Sequence, residues 1–314
     1  MAEQAIYYDS SLCTACKGCQ VACKCWNNLP SPTELNANQF TGTYQNPPDL
    51  NENTRIIMTF NEMEGGSKGV MWAFGRRACQ HCSDAPCASV CPANAIHKDE
   101  ASGMVTLDRD LCIGCQYCSI ACPFDVPRYT KVEDGLKTQV NKCTGCVDRI
   151  EQGLSPACVT TCQPGALKFG PRDEMVALAH ERVETLKARG FENACVYGEN
   201  EMGGLHVIQV LKYGVEAHGQ VVDPKVSPLV EIIKLMKPIT GVVSAAALLA
   251  CAAMFGLASG YKRDDRVYNP ETGDTLSVNT GEVLKHGDGF DDESVKDHIV
   301  DAVKGFSKKG GSDE

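Results

Sequence analysis

LCIGCQYCSIACP, residues 111 to 123, places Cys112, Cys115 and Cys118 three residues apart, adds Cys122 and closes on Pro123. That spacing lets a single loop wrap a compact group and present three thiols to it, while the fourth points elsewhere. Working outward, the unit recurs. Upstream stand Cys79, Cys82, Cys87 and Cys91 with Pro92, and before them Cys13, Cys16, Cys19 and Cys23. Downstream come Cys143, Cys146, Cys158 and Cys162, with Pro164 two residues later. Sixteen of the 19 cysteines fall into these groups, an internal repeat written in ligand residues rather than in whole segments.

The chain has 314 residues, room for about two domains. Lys+Arg 30 against Asp+Glu 40 leaves a net charge of -10 with no basic run, which disfavours nucleic acid as a partner. An odd 19 cysteines cannot all pair as disulfides. The opening MAEQAIYYDSSLC has neither a basic region before an apolar run nor twin arginines, so export would depend on a partner's signal. The cysteines are expected to bind metal.

CxxCxxCxxxCP is the bacterial ferredoxin run, in which three thiolates bind one [4Fe-4S] cube and the fourth binds its neighbour. Group three matches it without a gap, and four groups imply four [4Fe-4S] clusters. The two-cluster rule pairs Cys79, Cys82, Cys87 with Cys122, and Cys112, Cys115, Cys118 with Cys91. The remaining groups exchange likewise: Cys13, Cys16, Cys19 with Cys162, and Cys143, Cys146, Cys158 with Cys23. Gly18, Gly114 and Gly145 would allow close backbone approach to inorganic sulfide. Structural zinc uses two separated CxxC pairs; group four alone would fit that, and its place in the series argues for clusters. Lys17, Lys24 and Lys142 adjoin ligands and could offset cluster charge, against the plainer reading of solvated lysines. Cys25 is expected to be a small buried thiol, and Cys195 and Cys251 packing residues. The seven histidines show no ligand spacing.

Between groups two and three, GMVTLD (103 to 108) suits a short strand, and LHVIQVL (205 to 211) a buried one. The Asn- and Pro-rich segment from Asn27 to Asn53 reads as a long loop suited to binding a partner. Residues 173 to 189 place Val176, Ala179, Val183 and Leu186 on one helical face, with Gly190 as a stop. From Pro238 to Tyr261 no residue carries a formal charge, a helix of about 36 Å against a hydrocarbon core of about 30 Å. Ser227 and Pro228 suit its cap and first turn. Gly241, Ala245, Ala252, Gly256 and Gly260 fall near one face, suited to close packing with another membrane helix. Lys225, Lys234 and Lys237 before the span balance Lys262, Arg263 and Arg266 after it, so orientation stays open. In the polar tail, 293 to 306 are amphipathic through Val295, Ile299, Val303 and Phe306 and suited to docking on another subunit.

LCTACKGCQVACKCWNNLP (12 to 30), QNPPDL (45 to 50) and GLSPACVTTCQPGALKFG (153 to 170) resemble the four-cluster subunits of molybdenum or tungsten bis-pterin oxidoreductases, most of all those of membrane-bound respiratory formate dehydrogenases. The resemblance covers about residues 5 to 215. It implies an electron-transfer subunit of anaerobic respiration with no catalytic site of its own. Its clusters would pass electrons between a molybdenum or tungsten formate dehydrogenase catalytic subunit and a membrane cytochrome b or other quinone-reactive subunit. The corresponding subunit of a polysulfide, dimethyl sulfoxide or nitrate reductase, or of a hydrogenase, is the alternative, and a zinc-scaffolded interaction protein a remoter one.

The expected architecture is α+β. Residues 1–78 with 141–220 would form one ferredoxin-like domain and 79–140 an inserted second one, each with two clusters. A single transmembrane helix within 227–261 and a polar tail, 262–314, would follow. The protein would be single-pass and membrane-associated, in contact with lipid, its clusters on the periplasmic or outer side.

Overall fold

The strand at the centre of the fold is Val207–Leu211, and every residue in it is buried. The computed structural model describes residues 3–30, 42–65, 69–131, 138–259, 266–278 and 280–285, with the side chains of 237–242 and 256–259 outside that set. Val207–Leu211 pairs in parallel with Gln4–Asp9, setting Ile6 opposite Val207, and antiparallel with Cys195–Tyr197. Gln4–Asp9 also pairs antiparallel with Leu167–Pro171, completing a four-stranded sheet.

Strand alternation gives this sheet two different faces. Ala5, Tyr7, Ile208 and Val210 meet Met175, Ala179, Val183 and Leu186 of the helix Arg172–Ala188. Ala179, Val183 and Leu186 were expected from the sequence, and Val176, also expected, packs half-buried beside Met175. Gly190, at φ +90, ends the chain's helical course as expected. Ile6, Tyr8 and Val207 project the other way, into a core shared with Cys13, Cys19, Cys23, Cys158 and Cys162. Burying each such apolar side chain stabilises by about 1.5–3 kcal/mol, so one sheet joins the scaffold helix to the thiols. Asp9 fixes the step from strand to cysteine loop. Its buried carboxylate accepts from Arg182 Nε at 2.7 Å and from Ser11 Oγ at 2.6 Å, and its carbonyl takes the Cys13 N–H at 3.2 Å.

Three antiparallel hairpins carry the rest. Ile56–Glu64 pairs with Val70–Ala78, Ile96–Lys98 with Val105–Leu107, and Arg128–Lys131 with Thr138–Asn141. The second contains the strand expected in GMVTLD and links cysteine groups two and three. A second core gathers Cys79, Cys82, Cys87, Cys91, Cys112 and Cys118 with Ile57, Ile96, Val105 and Phe124.

Met1–Thr240 forms one compact unit and Gly241–Glu314 another. The helix Pro228–Ser259 begins at the proline expected, and Val230 packs with Val90 and Ala121. Among the described residues no helix is long and apolar enough to cross a membrane. The fold therefore supplies a helix where a transmembrane span was expected and does not by itself make it one. Gly260 and the surroundings of Gly241 and Gly256, three of the five positions on the expected small-residue face, lie outside the described residues, as does the amphipathic segment 293–306. In the second unit, Arg266–Tyr268, Thr275–Ser277 and Val283–Lys285 form a three-stranded antiparallel sheet that the polar composition did not announce.

Candidate metal centre

Each cysteine group runs through a loop into a short helix that carries its third thiol. Cys19 lies in Gly18–Trp26, Cys87 in Pro86–Ser89, Cys118 in Tyr117–Ala121 and Cys158 in Ala157–Thr160. Entry into two of these helices needs a left-handed residue directly after the second cysteine, Lys17 at φ 62 and Gln116 at φ 64. For a residue with a Cβ this conformation costs roughly 1–2 kcal/mol, and such strain collects at functional sites. Here it turns the chain so that the third thiol comes back beside the first two.

The helices pack in pairs, the first with the last and the middle two together. Gly18–Trp26 lies on Ala157–Thr160, and Pro86–Ser89 on Tyr117–Ala121. Thiols from different groups meet as a result. Cys13, Cys16, Cys19 and Cys162 line one cavity with Tyr8, Met58 and Leu167. Burial, then Cys143, Cys158 and Cys146, push the Cys23 thiol up. Burial, then Cys79, Cys87 and Cys122, do the same to Cys82. Cys118 is raised by burial against a lowering hydrogen bond with Tyr129, and its nearest thiol neighbours are Cys115, Cys91 and Cys112.

Burial pushes Cys19 and Cys146 up to about 12 and Cys122 to about 11. These three bare thiols thus stay protonated at neutral pH, and a bound metal must displace their protons. Donors already aim at the sulfurs. The N–H groups of Ala15, Gly145, Val140 and Leu167 point at Cys13, Cys143, Cys112 and Cys162 at 3.3–3.4 Å. Tyr129 Oη lies 3.1 Å from Cys118 Sγ. Among the described residues no three His, Cys, Asp or Glu side chains converge as ligands of a single ion. Four thiols around a cube each meet a different iron and stand further apart, so this donor set fits an iron-sulfur cube better than zinc.

His81, which the spacing did not single out, belongs to the centre, and so does Lys142, named from its place beside Cys143. His81 Nδ1 accepts the Val105 N–H at 3.0 Å, which leaves the proton on Nε2, 3.4 Å from Cys143 Sγ. Burial, with the Lys142 and Arg76 cations beside it, holds that ring neutral. Lys142 is 2% exposed and donates to the Val105 and Cys143 carbonyls, so the solvated reading fails for it. Its place next to Cys143 was the available signal, as was that of His81 between Cys79 and Cys82. Gly114 and Gly145 take positive φ, but a Cβ there would meet the Thr138 carbonyl and the Met104 side chain, so the close approach is to protein.

Cys25 is exposed on its helix rather than buried, and Cys251 is exposed as well, contrary to expectation. Cys195 is half-buried against the second core. Serine at any of the three is expected to leave iron per chain unchanged, checked by metal analysis; loss of iron in one variant would make that cysteine a ligand.

Residues 70–172 match the family profile described as "4Fe-4S dicluster domain". The nitrate-inducible formate dehydrogenase iron-sulfur subunit of Escherichia coli K12 is 40% identical over 242 residues, covering 76% of this chain and 79% of the relative. A formate dehydrogenase iron-sulfur subunit of Haemophilus influenzae is 39% identical over 257 residues, 81% of this chain and 80% of the relative. The protein belongs to the family of formate dehydrogenase iron-sulfur subunits. A subunit of the anaerobic dimethyl sulfoxide reductase of H. influenzae is a more distant relative, 36% identical over 180 residues, 56% of this chain and 77% of the relative. As a member of this family the protein is an electron-transfer subunit rather than a catalytic one, of mixed α and β structure with a ferredoxin-type [4Fe-4S] domain. A cube, when bound, takes up and gives back one electron; the protein supplies thiolates, donors and a dry shell.

Proposed function

We propose that the sixteen grouped cysteines hold four [4Fe-4S] clusters in the crossed pairing: Cys13, Cys16, Cys19 with Cys162; Cys143, Cys146, Cys158 with Cys23; Cys79, Cys82, Cys87 with Cys122; and Cys112, Cys115, Cys118 with Cys91. The observation that carries this reading is the cavity that gathers Cys162 with three cysteines more than a hundred positions away in sequence. The pairwise helix packing supports the other three sets. On the same ground, 1–78 with 141–220 and the inserted 79–140 act as two cluster modules within one compact unit.

Electrons from formate oxidation in a molybdenum or tungsten catalytic subunit pass through these clusters to a membrane cytochrome b or other quinone-reactive subunit. The broader coverage of the formate dehydrogenase relatives favours formate over dimethyl sulfoxide as the substrate of that partner. The helix Pro228–Ser259 anchors the module in the membrane. Its support is its 32-residue length, the uncharged run from Pro238, and the exposed Val243, Leu248, Leu249, Met254 and Phe255.

Iron and sulfide analysis tests the cofactor content. About 16 irons per chain are expected from four cubes; about eight, or zinc in place of iron, would refute the reading. Reduction of an artificial dye by formate, assayed on the co-purified complex, tests the partner, and dimethyl sulfoxide turnover without formate turnover would replace it.

A further inference from the structure

Arg76 and Arg77 are neighbours on the strand Val70–Ala78 and point to opposite sides. Arg77 reaches the surface and pairs with Asp49 at 2.6 Å and Asp125 at 3.2 Å. Arg76 turns inward, is 1% exposed, and among the described residues has no carboxylate within ion-pair distance. Its Nε and Nη1 are buried without any hydrogen-bond partner.

Such a group needs a reason. A guanidinium cannot escape burial by losing its proton, and leaving its N–H groups unsatisfied away from water is costly. The groups around it are thiols. Its strand partner Met58 packs in one core with Cys158 and Cys19, and the Arg76 charge opposes the effect of burial on both thiols. These two cysteines belong to different four-thiol sets, so Arg76 lies against both. A [4Fe-4S] cube held by four thiolates is an anion, and reduction adds one more negative charge. In the low dielectric of a core, a fixed cation beside it favours the reduced form.

We propose that Arg76 is the shared counter-charge of two clusters, those of Cys13, Cys16, Cys19, Cys162 and of Cys143, Cys146, Cys158, Cys23, and that it raises the reduction potential of both. This rests on the ligand sets proposed above. Lys142 lies instead beside Cys79 and Cys87. The cluster of Cys79, Cys82, Cys87 and Cys122 therefore has a nearer cation of its own, with Arg76 a weaker neighbour of Cys79.

The test is a redox titration followed by electron paramagnetic resonance on the purified complex, with the wild-type chain, Arg76→Met and Arg76→Lys. With Met, two of the four reduction steps are expected to move furthest to more negative potential, the step of the Cys79, Cys82, Cys87, Cys122 cluster less and the fourth least; with Lys, the two return toward their wild-type positions. Loss of about half the iron in Arg76→Met but not in Arg76→Lys supports the proposal equally, because charge is then needed to retain the clusters. Four unmoved potentials in an iron-replete Arg76→Met, an equal shift of all four, or iron loss in both variants would each overturn it. A wild-type chain with fewer than four clusters would instead refute the ligand sets and leave Arg76 without its two anions.

Discussion

Serine in place of Cys122 is expected to abolish the same spectroscopic signal as serine in place of Cys82, although the two residues belong to different sequence groups. Cys122 follows the helix Tyr117–Ala121 and is turned from its own loop toward Cys79, with burial pushing its thiol up to about 11. Cys82 counts Cys79, Cys87 and Cys122 as its thiol neighbours. Serine binds iron less well than thiolate, so iron per chain should fall by about one to four atoms. The reciprocal pair is Cys91 and Cys115, whose serine variants should share a second, different signal. Electron paramagnetic resonance of the four reduced variants decides the matter. If Cys122→Ser and Cys115→Ser lost one common signal, each sequence group would be holding its own cluster and the crossed pairing would be wrong.

Ending the chain after Met236 is expected to release the cluster module from membranes while leaving its iron in place. Formate-to-dye electron flow should persist, and flow to quinone should drop roughly a hundredfold, the scale on which tethering raises effective concentration. The cut site matters. Val230 fills a contact with Val90 and Ala121, joined by Ile233, and Lys234 reaches Asp84 at 3.7 Å. Ending before Ser227 would remove these too and cost about 1.5–3 kcal/mol for the buried Val230 side chain alone. The shorter variant should therefore show a lower Tm than the longer one, at equal membrane release. A variant ending at Met236 that still sedimented with membranes and reduced quinone at the full rate would disprove the anchor.

The sequence makes the ligand inventory legible because cluster chemistry imposes fixed spacing within a loop. Helix Arg172–Ala188 was readable because it buries a periodic face, and strand Val207–Leu211 because it is a short, almost continuous apolar run. Gln4–Asp9 was missed because its apolar run, Ala5 to Tyr8, is only four residues long and half of it is tyrosine, too short to stand out beside Val207–Leu211. Arg76 and His81 escaped notice, while Lys142 was singled out beside its ligand but weighed against a solvated lysine. A buried cation looks like a surface one until the fold shows what surrounds it, and the neighbours of Arg76 come from parts of the chain far from it. The exposure of Cys25 also depends on which face of the helix Gly18–Trp26 turns inward, and Cys19 and Cys23 take that face.

The place of Gln4–Asp9 in the sheet has a consequence for how the protein is made. Its two neighbours, Leu167–Pro171 and Val207–Leu211, leave the ribosome long after it does. At about 5–20 residues per second, the amino-terminal strand waits roughly 10–40 s for a seat. During that interval Cys13 to Cys23 hang from an undocked segment, while the hairpin joining Ile96–Lys98 to Val105–Leu107 can already close between its own two cysteine groups. Maturation is expected to run from the middle outward, with the first thiols to be translated among the last to be sheltered from oxygen.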